Sequence, residues 1–289
     1  MTIAPDAAAA VRALLEDFSL EMTGKDVRHL EAARSTIPTG TRVNVTFLGN
    51  EDLDLRLAAA TAVKRCGLVP VPHVSARRLA SPDALRAFLA ALQRVEASAS
   101  VFVVGGDPAK PEGPYEDALG VIRTGLLPAY GVRHVGIAGY PEGHPDIDER
   151  TLWSSLEAKA AEIGAAGLSG TIITQLGFDA DPVLAWAEDV RKHGIDLPIR
   201  VGVPGPAGVR RLLAFAARVG VGTSSGLARK YGFSITNLAG TTGPGRFIHA
   251  LADGYDADRH GVLRLHFYTF GGIGATAEWI DAFKKEELT

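Results

Sequence analysis

Ser100-Val101-Phe102-Val103-Val104-Gly105-Gly106-Asp107-Pro108 reads as a short buried strand followed at once by a glycine turn that carries an acid. The run is too short for a helix and lacks the polar alternation of a half-exposed strand, so it fits a strand covered on both faces, as in a parallel sheet. On either side lie longer stretches with helical spacing. The same unit recurs along the chain. Apolar or β-branched runs at 18–22, 42–47, 68–74, 100–105, 134–138, 170–175, 198–203 and 263–268 make eight strands joined by crossover helices. Eight is the number that closes a (β/α)8 barrel, so the fold expected is a single TIM-type barrel occupying 1–289 as one domain.

Helix signals agree with this order. Ser81 and Asp181 each precede a proline, which predicts side-chain caps with Pro82 and Pro182 in the first turn. Gly194 and Gly220 follow helical stretches, the latter after 209–219, and suit the left-handed residue past a helix end. The segment 6–16 predicts an extra helix before the first strand. Between the seventh and eighth strands lie about 60 residues, more than a barrel connection needs, and the part 227–253, with Thr241-Thr242-Gly243-Pro244-Gly245-Arg246, predicts a helical excursion.

Composition narrows the function classes. A formal net charge of -3 and the lack of a Lys/Arg-rich run argue against nucleic acid as a partner. The first 18 residues lack the basic and apolar regions of an export signal, and no apolar stretch approaches the ~18 residues of a membrane span, so a cytoplasmic, non-membrane protein is expected. The single cysteine, Cys66, lies in an apolar helix-like stretch and is read as packing. No HExxH or carboxylate cluster predicts a metal, no GxSxG accompanies Ser224-Ser225, and no P-loop or GxGxxG is present. A methyltransferase or aldolase would need a strand-end nucleophile or Schiff-base lysine, and neither is found.

In a barrel the C-terminal strand ends share one face. Here they carry Glu21, Thr46, His73, Gly105-Gly106-Asp107, Tyr140 through His144, Thr174-Gln175 and Tyr268, while the seventh ends in Val203-Pro204-Gly205. Singly, each has a plain structural reading: Glu21 as a solvated acid, His73 as a histidine bonded to a carbonyl, Thr46 and Gln175 as local hydrogen-bonders, the Gly-Gly-Asp segment as an ordinary turn. Polar side chains at most strand ends of one face are harder to explain that way. The inventory of two acids, a histidine, a tyrosine and an amide suits proton transfer and hydrogen bonding to a heterocycle.

Several segments in order, Phe18-Ser19-Leu20-Glu21, Val43-Asn44-Val45-Thr46, Pro72-His73-Val74, Gly106-Asp107, Gly136-Ile137-Ala138-Gly139-Tyr140-Pro141-Glu142-Gly143-His144-Pro145, Ile173-Thr174-Gln175 and His266-Phe267-Tyr268-Thr269, resemble the methylenetetrahydrofolate reductase family over nearly the whole chain. The resemblance implies a (β/α)8 barrel that carries FAD, takes hydride from NADH or NADPH and interconverts 5,10-methylenetetrahydrofolate and 5-methyltetrahydrofolate. It places Glu21 as the general acid and Asp107 beside flavin and pterin. Gln175 and Tyr268 fall on the substrate side, and Thr46, His73, Gly106, Asp107, Ala138, Tyr140, His144 and Lys159 at FAD contacts. Self-association as a homo-oligomer is also implied. The chain departs from the family's pattern in three places. Gly105 replaces an arginine before Gly-Asp, Val201-Gly202-Val203-Pro204-Gly205-Pro206 replaces Pro-Gly-Ile-x-Pro, and Phe270-Gly271-Gly272 replaces Leu-Asn-Arg. These losses keep two alternatives open: a flavin-free reductase of the same reaction, and a folate-binding subunit without redox activity.

Overall fold

A computed structural model describes residues 5–49, 51–208 and 241–288. Its strands are β1 (Ser19–Met22), β2 (Arg42–Val45), β3 (Val69–Ser75), β4 (Ser100–Val104), β5 (His134–Gly139), β6 (Ser169–Leu176), β7 (Ile199–Pro204) and β8 (Leu263–Tyr268). They close into one barrel in the order β1-β8-β7-β6-β5-β4-β3-β2. The pairs β1–β8, β8–β7, β2–β3, β3–β4 and β4–β5 run parallel. The fold is therefore the TIM-type α/β barrel that the eight runs predict, with helices around the strands. All six residues of β7 are buried, as expected for strands covered on both faces.

The helices follow their caps. In Pro82–Arg94 the Ser81 hydroxyl accepts from Ala84 N at 3.1 Å, Pro82 opens the helix, and Leu85, Phe88, Leu89 and Leu92 at helical spacing are buried. The Ala180–Lys192 helix starts earlier than expected: its cap is Asp179, which accepts from Asp181 N, so Asp181 is a first-turn acid instead. Gly194 has φ +72°, the left-handed conformation expected of it. The extra N-terminal helix is Pro5–Leu15, with Val11, Leu14 and Leu15 fully buried. Between β7 and β8 are a short antiparallel ladder, Ala207–Gly208 with Thr241–Thr242, and the helices Gly245–Gly254 and Ala257–His260. The expected helix at 209–219, Gly220, Ser224-Ser225 and the start of the 227–253 excursion lie outside the described residues.

The chain gathers into two compact units, one of Met1–Leu20, Gly139–Leu152 and Ile173–Thr289, the other of Glu21–Ala138 and Trp153–Ile172. In the second, His73 of β3 lies in register with Phe102 of β4, and Phe102 with Gly136 of β5. A Cβ on Gly136 would stand 2.7 Å from the Phe102 ring, so the glycine makes the room that Phe102 fills, and Phe102 in turn supports His73 at 4.8 Å between ring centroids. In the first unit, Gly202 of β7 plays the same part for Tyr268 of β8: its Cβ would meet the Thr174 carbonyl at 2.5 Å and the Tyr268 ring at 2.7 Å. No helix among the described residues is long and apolar enough to cross a membrane.

Candidate active site

In the second unit Glu21, Asn44 and His73 come from three consecutive strands. Glu21 Oε2 stands 3.9 Å from His73 Nε2, with the glutamate 21% and the imidazole 11% exposed. Asn44, itself buried, approaches the same nitrogen through Nδ2 at 3.4 Å. Thr46 lies one residue past β2, because the ladder with β3 ends at Val45. There its backbone N–H and its hydroxyl both donate to the Met22 carbonyl, at 2.9 and 3.2 Å, joining the second strand end to the first. Buried Glu51 extends that join by accepting from Gly24 N and Leu48 N at 2.9 and 3.2 Å.

The acid of the Gly-Gly-Asp turn is exposed and ion-paired. Arg78, on the single turn Ala76–Arg78 after β3, donates to Asp107 Oδ1 through Nε at 3.1 Å and Nη2 at 2.6 Å. Gly106 has φ +96°, a conformation that favours glycine, and a Cβ there would stand 2.1 Å from Ser75 Oγ and push that hydroxyl aside. At Gly105, where the family carries an arginine, a Cβ would meet nothing within 4 Å.

Lys159 sits on the helix Glu149–Ala165 and is only 7% exposed. Burial pulls its pKa down to about 8, with the Asp117 carboxylate opposing. The other strongly desolvated cation in this unit is Arg56. It lies over the Phe47 ring at 3.6 Å and the Phe88 ring at 4.5 Å, and burial lowers its pKa to about 10 against the pull of Glu51 and Asp52. Ala138 is half-buried near the end of β5.

In the first unit, Gln175 lines a recess with Pro141, Glu142, Gly143, Leu176, Gly177 and Val183. Its Oε1 accepts from Leu176 N at 3.0 Å. Tyr140 meets His144 edge to face at 5.3 Å, burial raises the tyrosine's pKa, and His144 Nδ1 accepts from Asp146 N at 3.1 Å. The Tyr268 hydroxyl donates to the Thr174 carbonyl at 3.0 Å, and Thr174 Oγ1 accepts from Gly202 N at 2.8 Å. The residues singled out from sequence thus fall into these two groups, Glu21, Thr46, His73, Gly106, Asp107, Ala138 and Lys159 in one and Tyr140, His144, Gln175 and Tyr268 in the other.

The departures at 201–206 and 270–272 meet in this unit. A Cβ on Gly271 would lie 1.9 Å from the Pro206 carbonyl oxygen, and Gly272 has φ +103°. The first position admits no side chain and the second strains any L residue. The two changes, separate in sequence, are one change in space.

Sequence reading missed Arg77 and Arg78. The signal was there: two adjacent arginines just beyond the β3 end, next in the barrel to the loop that bears Asp107.

The family model for methylenetetrahydrofolate reductase matches residues 29–283. The chain belongs to the methylenetetrahydrofolate reductase family. Methylenetetrahydrofolate reductase 2 of Saccharomyces cerevisiae is 32% identical over 127 residues, which are 41% of this chain and 20% of the yeast protein. The NADH-type methylenetetrahydrofolate reductase 1 of Arabidopsis thaliana is 26% identical over 203 residues, 59% of this chain and 31% of the plant protein. The matches thus span between a fifth and a third of these relatives' lengths. Among solved structures, an uncharacterized Clostridium thermocellum protein described as binding two copies of 5-methyl-5,6,7,8-tetrahydrofolic acid superposes with a TM-score of 0.60 at 13% identity. That match covers 96% of this chain and 98% of the other and establishes likeness of fold.

Proposed function

We propose that this methylenetetrahydrofolate reductase family member is one catalytic barrel over 1–289 that interconverts 5,10-methylenetetrahydrofolate and 5-methyltetrahydrofolate with hydride from NADH or NADPH. The observation that carries the reading is the placement of Glu21, half-buried at a strand end, with its carboxyl 3.9 Å from an imidazole that Asn44 and Phe102 hold in place. A reduced folate as ligand accords with what the Clostridium thermocellum protein is described as binding.

In this reading Glu21 gives its proton to N10 of the folate as the bond between N10 and the bridging carbon breaks, leaving a 5-iminium cation. Hydride adds to that carbon and completes the methyl group; Glu21, left as carboxylate, is reprotonated from solvent. Asp107 holds the pterin's amino edge and offers negative charge to the cation, and Gln175 hydrogen-bonds the pterin. Tyr268 contributes its ring to the substrate side.

The residues present fit a flavin. Thr46 and His73 put polar groups at neighbouring strand ends, the space beside Gly105 is open, and Gly106 leaves the backbone bare. Thr46, His73, Gly106, Asp107, Ala138, Tyr140, His144 and Lys159 would hold FAD, which when bound supplies the hydride carrier. The glycines at 105, 271 and 272 favour a second reading, in which nicotinamide and folate bind together and hydride passes directly.

The test is an absorbance spectrum of the purified protein between about 350 and 500 nm before and after adding FAD, together with NADH and NADPH oxidation in the presence of 5,10-methylenetetrahydrofolate. A flavin spectrum with turnover supports the first reading, and turnover without flavin the second. Folate binding without turnover by either nucleotide, in either direction, leaves a binding subunit and overturns both.

A further inference from the structure

We propose that Arg78 is a positioning residue that, from the turn after β3, fixes the Asp107 carboxylate for its ligand. The proposal rests on the reading that Asp107 meets the pterin. Both N–H groups of Arg78 that reach Asp107 converge on Oδ1, at 3.1 and 2.6 Å, so Oδ2 takes none of that hydrogen bonding. The exposures are unequal in the direction this requires: the arginine side chain is 15% exposed and the aspartate 67%. The cation is the anchored partner, and the anion is the one offered to a ligand.

The anchoring is specific. Arg78 lies 5.5 Å from the Phe47 ring, and its Nη1 is 3.8 Å from Glu112 Oε1. A Cβ on Gly49 would stand 2.6 Å from its Nη2, so that glycine makes room for it. Arg77 ties down the rest of the same loop. Its guanidinium donates to the Glu116 carbonyl at 2.7 Å and the Pro108 carbonyl at 3.2 Å, its N–H donates to the Gly105 carbonyl at 2.8 Å, and its carbonyl accepts from Glu112 N at 2.8 Å. The loop has a bare glycine turn at its head and needs an outside brace, and the two arginines supply it. An ammonium keeps the charge but lacks the two fixed, coplanar N–H groups that converge on Oδ1, which sets an intermediate expectation for lysine at 78.

The test is a double-mutant cycle of Arg78→Ala and Asp107→Asn on the whole 289-residue chain, read by the Kd for 5-methyltetrahydrofolate and separately by thermal unfolding. If Arg78 acts through Asp107, Arg78→Ala weakens folate binding about tenfold in the native background and less than about twofold in the Asp107→Asn background. Arg78→Lys falls between, and the exposed-charge control Arg86→Ala leaves Kd unchanged. Equal losses in both backgrounds overturn the proposal and make Arg78 a direct ligand of a bound anion or a merely structural residue. If the native protein binds no folate at all, the folate reading fails by itself. The unfolding cycle then still decides the pairing: coupling between the two substitutions upholds the brace, and strict additivity ends it.

Discussion

Glu21 Oε2 stands 3.9 Å from His73 Nε2, the same nitrogen that Asn44 Nδ2 approaches at 3.4 Å, and the Phe102 ring lies 4.8 Å from the imidazole. A carboxyl so placed has few positions open to it. Its exchange for an amide keeps the shape while removing the transferable proton and turning one acceptor oxygen into an N–H donor. Glu21→Gln is expected to lower kcat by about 10² to 10⁴, the range of a lost general acid, with Kd for 5-methyltetrahydrofolate changed less than about threefold. Stopped-flow reduction and equilibrium binding separate the two effects, and a parallel loss of both would move Glu21 from proton donor to binding group.

Lys159 gives the fold a dependence on pH. Its pKa falls from 10.5 to about 8 on folding because burial disfavours the ammonium. Below about pH 8 it is charged in both states, and the folded state bears the full desolvation cost. Between about 8 and 10.5 the unfolded chain binds more protons, so stability from this group rises with pH, and above 10.5 the cost is gone. Lys159→Met is therefore expected to stabilise the protein near pH 7, by at most roughly 3 kcal/mol, with the gain shrinking as pH climbs through that window. Chemical denaturation of both proteins from pH 7 to 10.5 checks it; a difference that stays constant over that range would show that the lysine keeps its proton throughout.

Tyr268 has a committed hydroxyl, which donates to Thr174 O at 3.0 Å. Tyr268→Phe is expected to cost about 1 kcal/mol of stability, the net worth of one such hydrogen bond. Folate affinity should change less than about twofold, since the ring remains; a tenfold loss would assign the hydroxyl to the substrate.

At Gly271 the nearest atom to an added Cβ is a backbone carbonyl oxygen 1.9 Å away, so the clash cannot be relieved by a side-chain rotation. Gly271→Ala should cost about 2 kcal/mol or more, read as a fall in Tm of at least about 5 °C. An unchanged melting curve would show that the 204–206 segment yields freely.

The barrel was legible because each strand carries its own signal. Leu263–Tyr268 begins and ends where the apolar run does, while the run at 42–47 overshoots β2 because Thr46 and Phe47 favour extended backbone but lie beyond the ladder with β3. Local cap chemistry was read correctly at Ser81 and misplaced by two residues at Asp181, where a second aspartate, Asp179, competes for the same role. The neighbouring strand-end groups Glu21 and His73 were legible one by one from their strands. The brace on Asp107 was not, since Arg78 meets it across 29 residues of chain and no periodicity links an arginine in one loop to an acid in the next. The contact of Gly271 with Pro206 was hidden for the same reason.

That last contact makes a side chain at 271 and the present course of 204–206 mutually exclusive. A chimaera that puts a residue with a side chain at 271 while keeping the present 204–206 backbone would drive that side chain onto the Pro206 carbonyl. Grafting experiments that place a side chain at 271 are therefore expected to need a matching change at 204–206.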